Sequence, residues 1–226
     1  VTKLGVAANH ILAVDTSTAQ AGVAVEGDGR VSCLTWNAGR SHTVLMLDQI
    51  HRLLELHGAF ISDIGAIAVA IGPGAFTGLR VGMSLAKGLV LALDLPLIGV
   101  STLEATALPH LDGHRTVAAV VPAGRGRVVW SPFGGDFAAP HALDEPMNVD
   151  VDELVAAVAR LPGIVVVTGD FDDTVAAALR DRTGAIQPTR PLRLRQPAAL
   201  LAIARRRHAD GSVDEAASLA PVYVGR

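Results

Sequence analysis

Two segments hold residue types that can do chemistry in their order along the chain. The first is Ala13-Val-Asp15-Thr16-Ser17-Thr18, an acid at a strand end followed by three hydroxyl residues. A tight turn of this kind can present backbone N–H groups and hydroxyls to an anion, while the carboxylate holds a cation or water. The same residues also suit a purely structural Asx turn. The second segment is Ile71-Gly72-Pro73-Gly74-Ala75-Phe76-Thr77-Gly78-Leu79-Arg80, three glycines and a proline between an apolar run and a helical pattern. Such a loop lets backbone approach a phosphate at a helix N-terminus. It also suits a tight turn for close helix–strand packing. It is neither a Walker loop nor the GxGxxG dinucleotide fingerprint. Phosphate or nucleotide contact, if made, falls to Asp15, Thr16, Ser17, Gly72, Gly74, Thr77 and Arg80.

Other constellations are thin. There is no HExxH string and no cysteine pair for a metal. His110 and His114 have helical metal-pair spacing, but Pro109, Asp112 and Gly113 favour a solvated loop. Cys33 is the single cysteine, which excludes an intrachain disulfide and fits a reducing cytoplasm. By type it reads as a small buried hydrophobe. The formal net charge of -3 lacks the basic surplus of a chain that binds nucleic acid alone. Arg205, Arg206 and Arg207 read as a solvated helix end that complements the dipole.

The elements that must position these residues follow from periodicity and turn chemistry. Strands are expected at Ile11 to Ser17, Gly22 to Val25 and Val31 to Trp36, the last two joined by a turn in Glu26 to Arg30. A helix runs from His42 to His57, with Ser41 as N-cap and Gly58 as its stop. A buried strand, Ala66 to Ile71, leads to a helix from Phe76 to Leu93 and a short strand, Leu97 to Val100. The second half loosely repeats this order. Strands fall at Val117 to Val121, Val128 to Phe133 and Ile164 to Thr168, with helices at Val151 to Leu161 and Asp172 to Leu179. Pro197 opens a last helix to His208. Residues 132–150 carry little periodicity, so the third strand there is undefined. Two β-β-β-α-β-α lobes in tandem make a duplicated α/β fold. The division is 1–106 and 107–226, with helix 197–208 packing back on the first lobe. No stretch reaches the roughly 18 uninterrupted apolar residues of a membrane span. Val1 to Asn9 lacks the apolar core of a signal peptide.

Two helices carry more apolar surface than one core face needs. Leu45, Met46, Leu47, Ile50, Leu53, Leu54 and Leu56 cover an arc of roughly 200°, where packing on one sheet takes about 100°. The helix from Phe76 has Arg80, Ser84 and Lys87 as almost its only polar side chains. Its Gly78, Gly82 and Ala86, four apart, form a small-residue stripe that admits a second helix. Burial against another protein is therefore expected through Leu45, Met46, Ile50, Leu53, Gly78, Gly82, Leu85, Ala86 and Leu89. Gly82→Leu is expected to abolish pairing by overpacking while the monomer stays folded.

Ile11-Leu-Ala-Val-Asp-Thr-Ser17, Ser41-His-Thr43, Gly72-Pro-Gly-Ala-Phe-Thr-Gly-Leu-Arg80, Leu97-Ile-Gly-Val-Ser-Thr-Leu103 and the closing Pro221-Val-Tyr-Val224 together resemble the TsaB (YeaZ) family. The resemblance implies an ASKHA fold, the actin, sugar-kinase and Hsp70-like, RNase H-like architecture. It implies a non-catalytic partner subunit in forming threonylcarbamoyladenosine at position 37 of tRNA. Its partners would be the transferase TsaD and the small ATPase TsaE, with tRNA bound through the complex. Pairing would use the two helices, with a homodimer forming in the absence of TsaD. No cofactor is implied, and nucleotide is expected only at the TsaD junction. Where TsaD has a His-x-x-x-His metal pair, Thr102 and Thr106 stand, and hydroxyls are poor ligands for metals that imidazole suits. No metal site and no transferase or peptidase activity are thus expected of this chain alone. The family's Asp-Ala-Arg-x-Gly-Glu is replaced by Pro122-Ala-Gly-Arg-Gly-Arg127, which weakens an ATPase or sugar-kinase alternative, although Arg125 and Arg127 remain able to meet an anion. A homodimeric module, or an inactive glycopeptidase-like homologue, is the other alternative.

Overall fold

Ile11, Leu12, Ala13 and Val14 are too apolar for any exposed strand, and β1 (His10–Asp15) is buried along its whole length. The structure is a computed structural model and describes residues 10–39 and 42–225, without the side chains of 42–45. The Val1 to Asn9 expectation, the Ser41 cap and the Leu45 side chain lie outside the described residues. The described residues form two compact units, those up to 71 with 76–100 and 196–221 in the first, and 72–75, 101–195 and 222–225 in the second. These units differ from a single division after 106.

In the first unit β1 lies between β2 (Gln20–Gly27), antiparallel to it, and β4 (Ile64–Gly72), parallel to it. β3 (Arg30–Asn37) and β5 (Leu97–Ser101) flank them, giving the order β3-β2-β1-β4-β5. Gly27 pairs Arg30 across a two-residue turn in which Asp28 and Gly29 both have positive φ, 51° and 70°. That is the type I′ hairpin an Asp-Gly pair favours. Helices α1 (His42–His57) and α2 (Phe76–Leu93) bury Ile50, Leu53, Met83 and Val90 against Leu12, Val14 and Val23 on one sheet face. Among the described residues α2 alone has the length and composition to cross a membrane. Its inner face is packed in this core, and Arg80 and Lys87 interrupt the apolar run of its sequence.

A helix from the end of the sequence covers the other face: Pro197, which opens it, sits against Gly22. Gly22 alternates with the core-facing Val23 along β2 and so points away from α1 and α2. Arg205 of that helix pairs with Glu26 at 2.7 Å. Arg207 donates to the Gly99 carbonyl and to Asp214, whose carboxylate accepts from Gly99 N at 2.7 Å. These two arginines are therefore anchors rather than a solvated helix end. Cys33 is also corrected. It is exposed, because β3 is an edge strand with only one well-covered face.

The second unit repeats the motif with losses. After the short helix α3 (Thr102–Ala107), β6 (Arg115–Gly124) pairs antiparallel with β7 (Arg127–Gly134). The ill-defined third strand is two fragments, β8 (His141–Ala142) and β9 (Met147–Val149), both pairing with β7. Helix α4 (Val151–Val158) starts at a reciprocal Asp150–Glu153 capping box. β10 (Ile164–Gly169) runs parallel to β6, and α5 (Asp173–Arg182) follows it. A fifth strand survives only as the bridge between Ile186 and Val166. A four-residue turn, α6 (Arg190–Arg193), precedes the closing helix, α7 (Pro197–Ala209). His110 departs from the solvated-loop expectation. It lies in a 3-10 turn, half-buried, with its Nε2 2.9 Å from Thr168 Oγ1.

Candidate functional site

The strand-end turn is hydrogen-bonded both within itself and to α2. Asp15, Thr16 and Ser17 are all buried. The Asp15 carboxylate accepts from Ser17 N at 2.9 Å and from Ser17 Oγ at 2.7 Å, the Asx turn of the structural alternative. Thr16 Oγ1 donates to the Gly78 carbonyl at 2.6 Å, which ties the turn to the first coil of α2. Gly82 lies one turn further on. A Cβ there would stand 2.3 Å from Thr16 Oγ1, so the glycine is what lets α2 approach β1 this closely. Gly72 and Gly74 belong to the other unit. Thr77 and Arg80 are exposed on the outer side of α2.

That outer side, with α1, forms an apolar groove of about 650 Å³, lined chiefly by Met46, Leu47, Phe76, Arg80, Val81 and Leu85. Leu47 is 60% exposed and Phe76 54%. The broad apolar arcs thus serve two surfaces, with a buried inner stripe and an exposed outer one. Most of the interface residues expected from the sequence fall on the inner stripe. Met46, Ile50, Leu53, Gly78, Gly82 and Ala86 are buried in the unit's own core. Leu85 and Leu89 are half-buried at the boundary. Gly82, in the middle of the small-residue stripe, faces Thr16, because the sheet itself needs the close approach. The outward positions are Thr77, Val81, Ser84, Gly88 and Leu91, a four–three alternation that suits knobs-into-holes packing. Leu47 was among the apolar residues of the arc, but a helical wheel does not say which half faces the sheet.

In the second unit Thr106 Oγ1 donates to its own helix, to the Thr102 carbonyl, at 2.7 Å, and both threonines are buried. No group of three or more His, Cys, Asp or Glu is arranged to hold a metal among the described residues. Arg127 is committed to Asn148, at 2.9 Å from Nε to Oδ1, and to Glu153, so only Arg125 at the hairpin tip stays exposed to meet an anion.

Under the C-terminal end of α1, the buried His57 ring shares a hydrogen bond of 2.9 Å with Ser32 Oγ and meets His10 edge-on at 5.4 Å. Burial pushes the His57 pKa down, helped by the Arg30 and His10 charges, against a Gly27 backbone bond and Asp28. Burial lowers that of His110 as well. A depressed histidine pKa means the unfolded chain binds more protons, so stability rises with pH. The contribution is whole above the unfolded value of about 6.5 and is lost as pH falls through the lower folded values. The urea midpoint is expected to drop between neutral and mildly acid pH, and His57→Gln is expected to flatten part of that slope. An unchanged slope in the variant would remove His57 from the account.

Residues 36–169 match the family model described as TsaD, tRNA N6-adenosine threonylcarbamoyltransferase. The tRNA threonylcarbamoyladenosine biosynthesis protein TsaB of Escherichia coli K12 is 39% identical over 129 residues, 56% of each chain. Its Bacillus subtilis 168 counterpart is 37% identical over 150 residues, 65% of this chain and 62% of the relative. These matches span between about half and two thirds of the curated relatives' length. The solved YeaZ from Pseudomonas aeruginosa, 26% identical, superposes with a TM-score of 0.79 over 96% of this chain and 100% of that one.

Proposed function

This chain belongs to the TsaB/YeaZ branch of the tRNA N6-adenosine threonylcarbamoyltransferase family, and from that membership we propose that it is the non-catalytic partner subunit in threonylcarbamoylation of tRNA adenosine 37. It binds the transferase TsaD, with TsaE joining the pair, and acts in the cytoplasm. The observation that carries this is the exposed apolar groove between α1 and α2. Leu47 and Phe76 keep more than half their surface in water there, an arrangement expected of a face that a second protein covers. Energetically the subunit is a ligand that favours one state of the transferase. The buried Asx turn at Asp15 and the internally bonded Thr106 support a role without chemistry of its own. The shared strand order of the two units supports a duplicated ASKHA architecture.

Without the transferase, the same groove takes a second copy of this chain. Any nucleotide binds at the junction with the transferase, and tRNA is held by the assembled complex. The deciding experiment is reconstitution with TsaD and TsaE of the same organism and a tRNA modification assay. Modification is expected only when this chain is present. Equal modification in its absence would sink the proposal.

A further inference from the structure

Among the described residues, Arg80 is the one charged side chain lining the α1–α2 groove. Its guanidinium lies over the Phe76 ring, 3.9 Å from the centroid, which holds it flat on the groove rim. It makes no ion pair with any carboxylate among the described residues. Lys87 is the only other charge on α2, so the helix carries no acid of its own. On α1, Glu55 is paired with His51 at 3.2 Å, and Asp48 lies outside the groove lining. Anything that covers this groove takes the guanidinium out of water, and an unpaired buried cation is costly. The geometry points to one occupant: a helix of a different chain whose apolar seam is interrupted by a single Asp or Glu placed to meet the exposed edge of Arg80. A planar guanidinium held by an aromatic ring suits a two-pronged bond to a carboxylate. A second copy of this chain brings another Arg80 to the contact, and its own groove lining holds no acid among the described residues, so Arg80 favours the heteromeric pair over the homomeric one.

This rests on the pairing proposed above and adds to it the charge of the partner. The test is calorimetric titration of the full chain with the transferase subunit at low and high salt, for wild type, Arg80→Glu and Arg80→Lys. Wild-type binding is expected to weaken with salt. Arg80→Glu is expected to lower affinity about tenfold at low salt and to reverse the sign of the salt dependence. Arg80→Lys keeps the sign and loses part of the affinity, since the charge stays and the stacked fork is lost. Arg80 is exposed, so unchanged melting of the variants is the folding control. Wild-type and Arg80→Glu chains that bind equally, with one salt response, would overturn the assignment while leaving the pairing intact. A wild-type chain that does not bind the transferase subunit would overturn both.

Discussion

Leu47→Lys is expected to weaken binding of the transferase subunit by roughly a hundredfold or more, with no change in the melting of the isolated chain. The side chain is 60% exposed, so folding gains little from it and loses little when it changes. In the proposed complex it would be an apolar contact of the groove. Truncating such anchors costs about 2–4 kcal/mol, and every 1.4 kcal/mol is about tenfold in Kd. Lysine adds a second penalty, since its ammonium must be desolvated beside the Arg80 cation already on the rim. Titration calorimetry and thermal melting measure the two halves of the claim. Full-strength binding by the variant would remove the groove from the interface. A large fall in its melting point would show that Leu47 serves the core instead.

Gly82→Leu should do the reverse, destabilising the chain before any partner is present. The new Cβ alone reaches within 2.3 Å of Thr16 Oγ1, and that hydroxyl is already spent on the Gly78 carbonyl. Overpacking of this kind costs about 1–3 kcal/mol, and loss of the hydrogen bond about 1 more. Better helix propensity returns less than about 1 kcal/mol. A net loss near 2 kcal/mol lowers the midpoint by roughly 4–8 °C in a chain of this size. Gly88→Ala is the control, with nothing within 4 Å of its added methyl. It should hold or raise the midpoint. Equal melting of all three chains would refute the close approach at Thr16. The expectation from sequence, that Gly82→Leu leaves the monomer intact, is thus replaced.

That replacement marks where sequence stops being informative. The bounds of α1 and α2 were legible to the residue, because apolar spacing and Gly58 and Pro96 punctuate them. Which half of each apolar arc meets the sheet was not, since that depends on strands distant in sequence. A small-residue stripe is the same signal whether the close neighbour is β1 or another protein. Helix α3 had a readable mark in Ser101, whose hydroxyl accepts from Glu104 N at 3.4 Å, but the preceding apolar strand masked so short an element. β8 and β9, two and three residues long, are too brief to express any period. Cys33 was misjudged because composition cannot tell an edge strand from a central one.

The anchoring of α7 on the first sheet also sets an order of assembly during translation. Residues up to 100 leave the ribosome early, yet one face of their sheet waits for 196–221, where Asp214 latches onto Gly99. The span 101–195 forms the bulk of the second unit without interruption and can fold while the first is still uncovered. Ile11 and Ala13 then lie open on the nascent chain until α7 emerges, so a ribosome stalled before 196 is expected to release an aggregation-prone sheet.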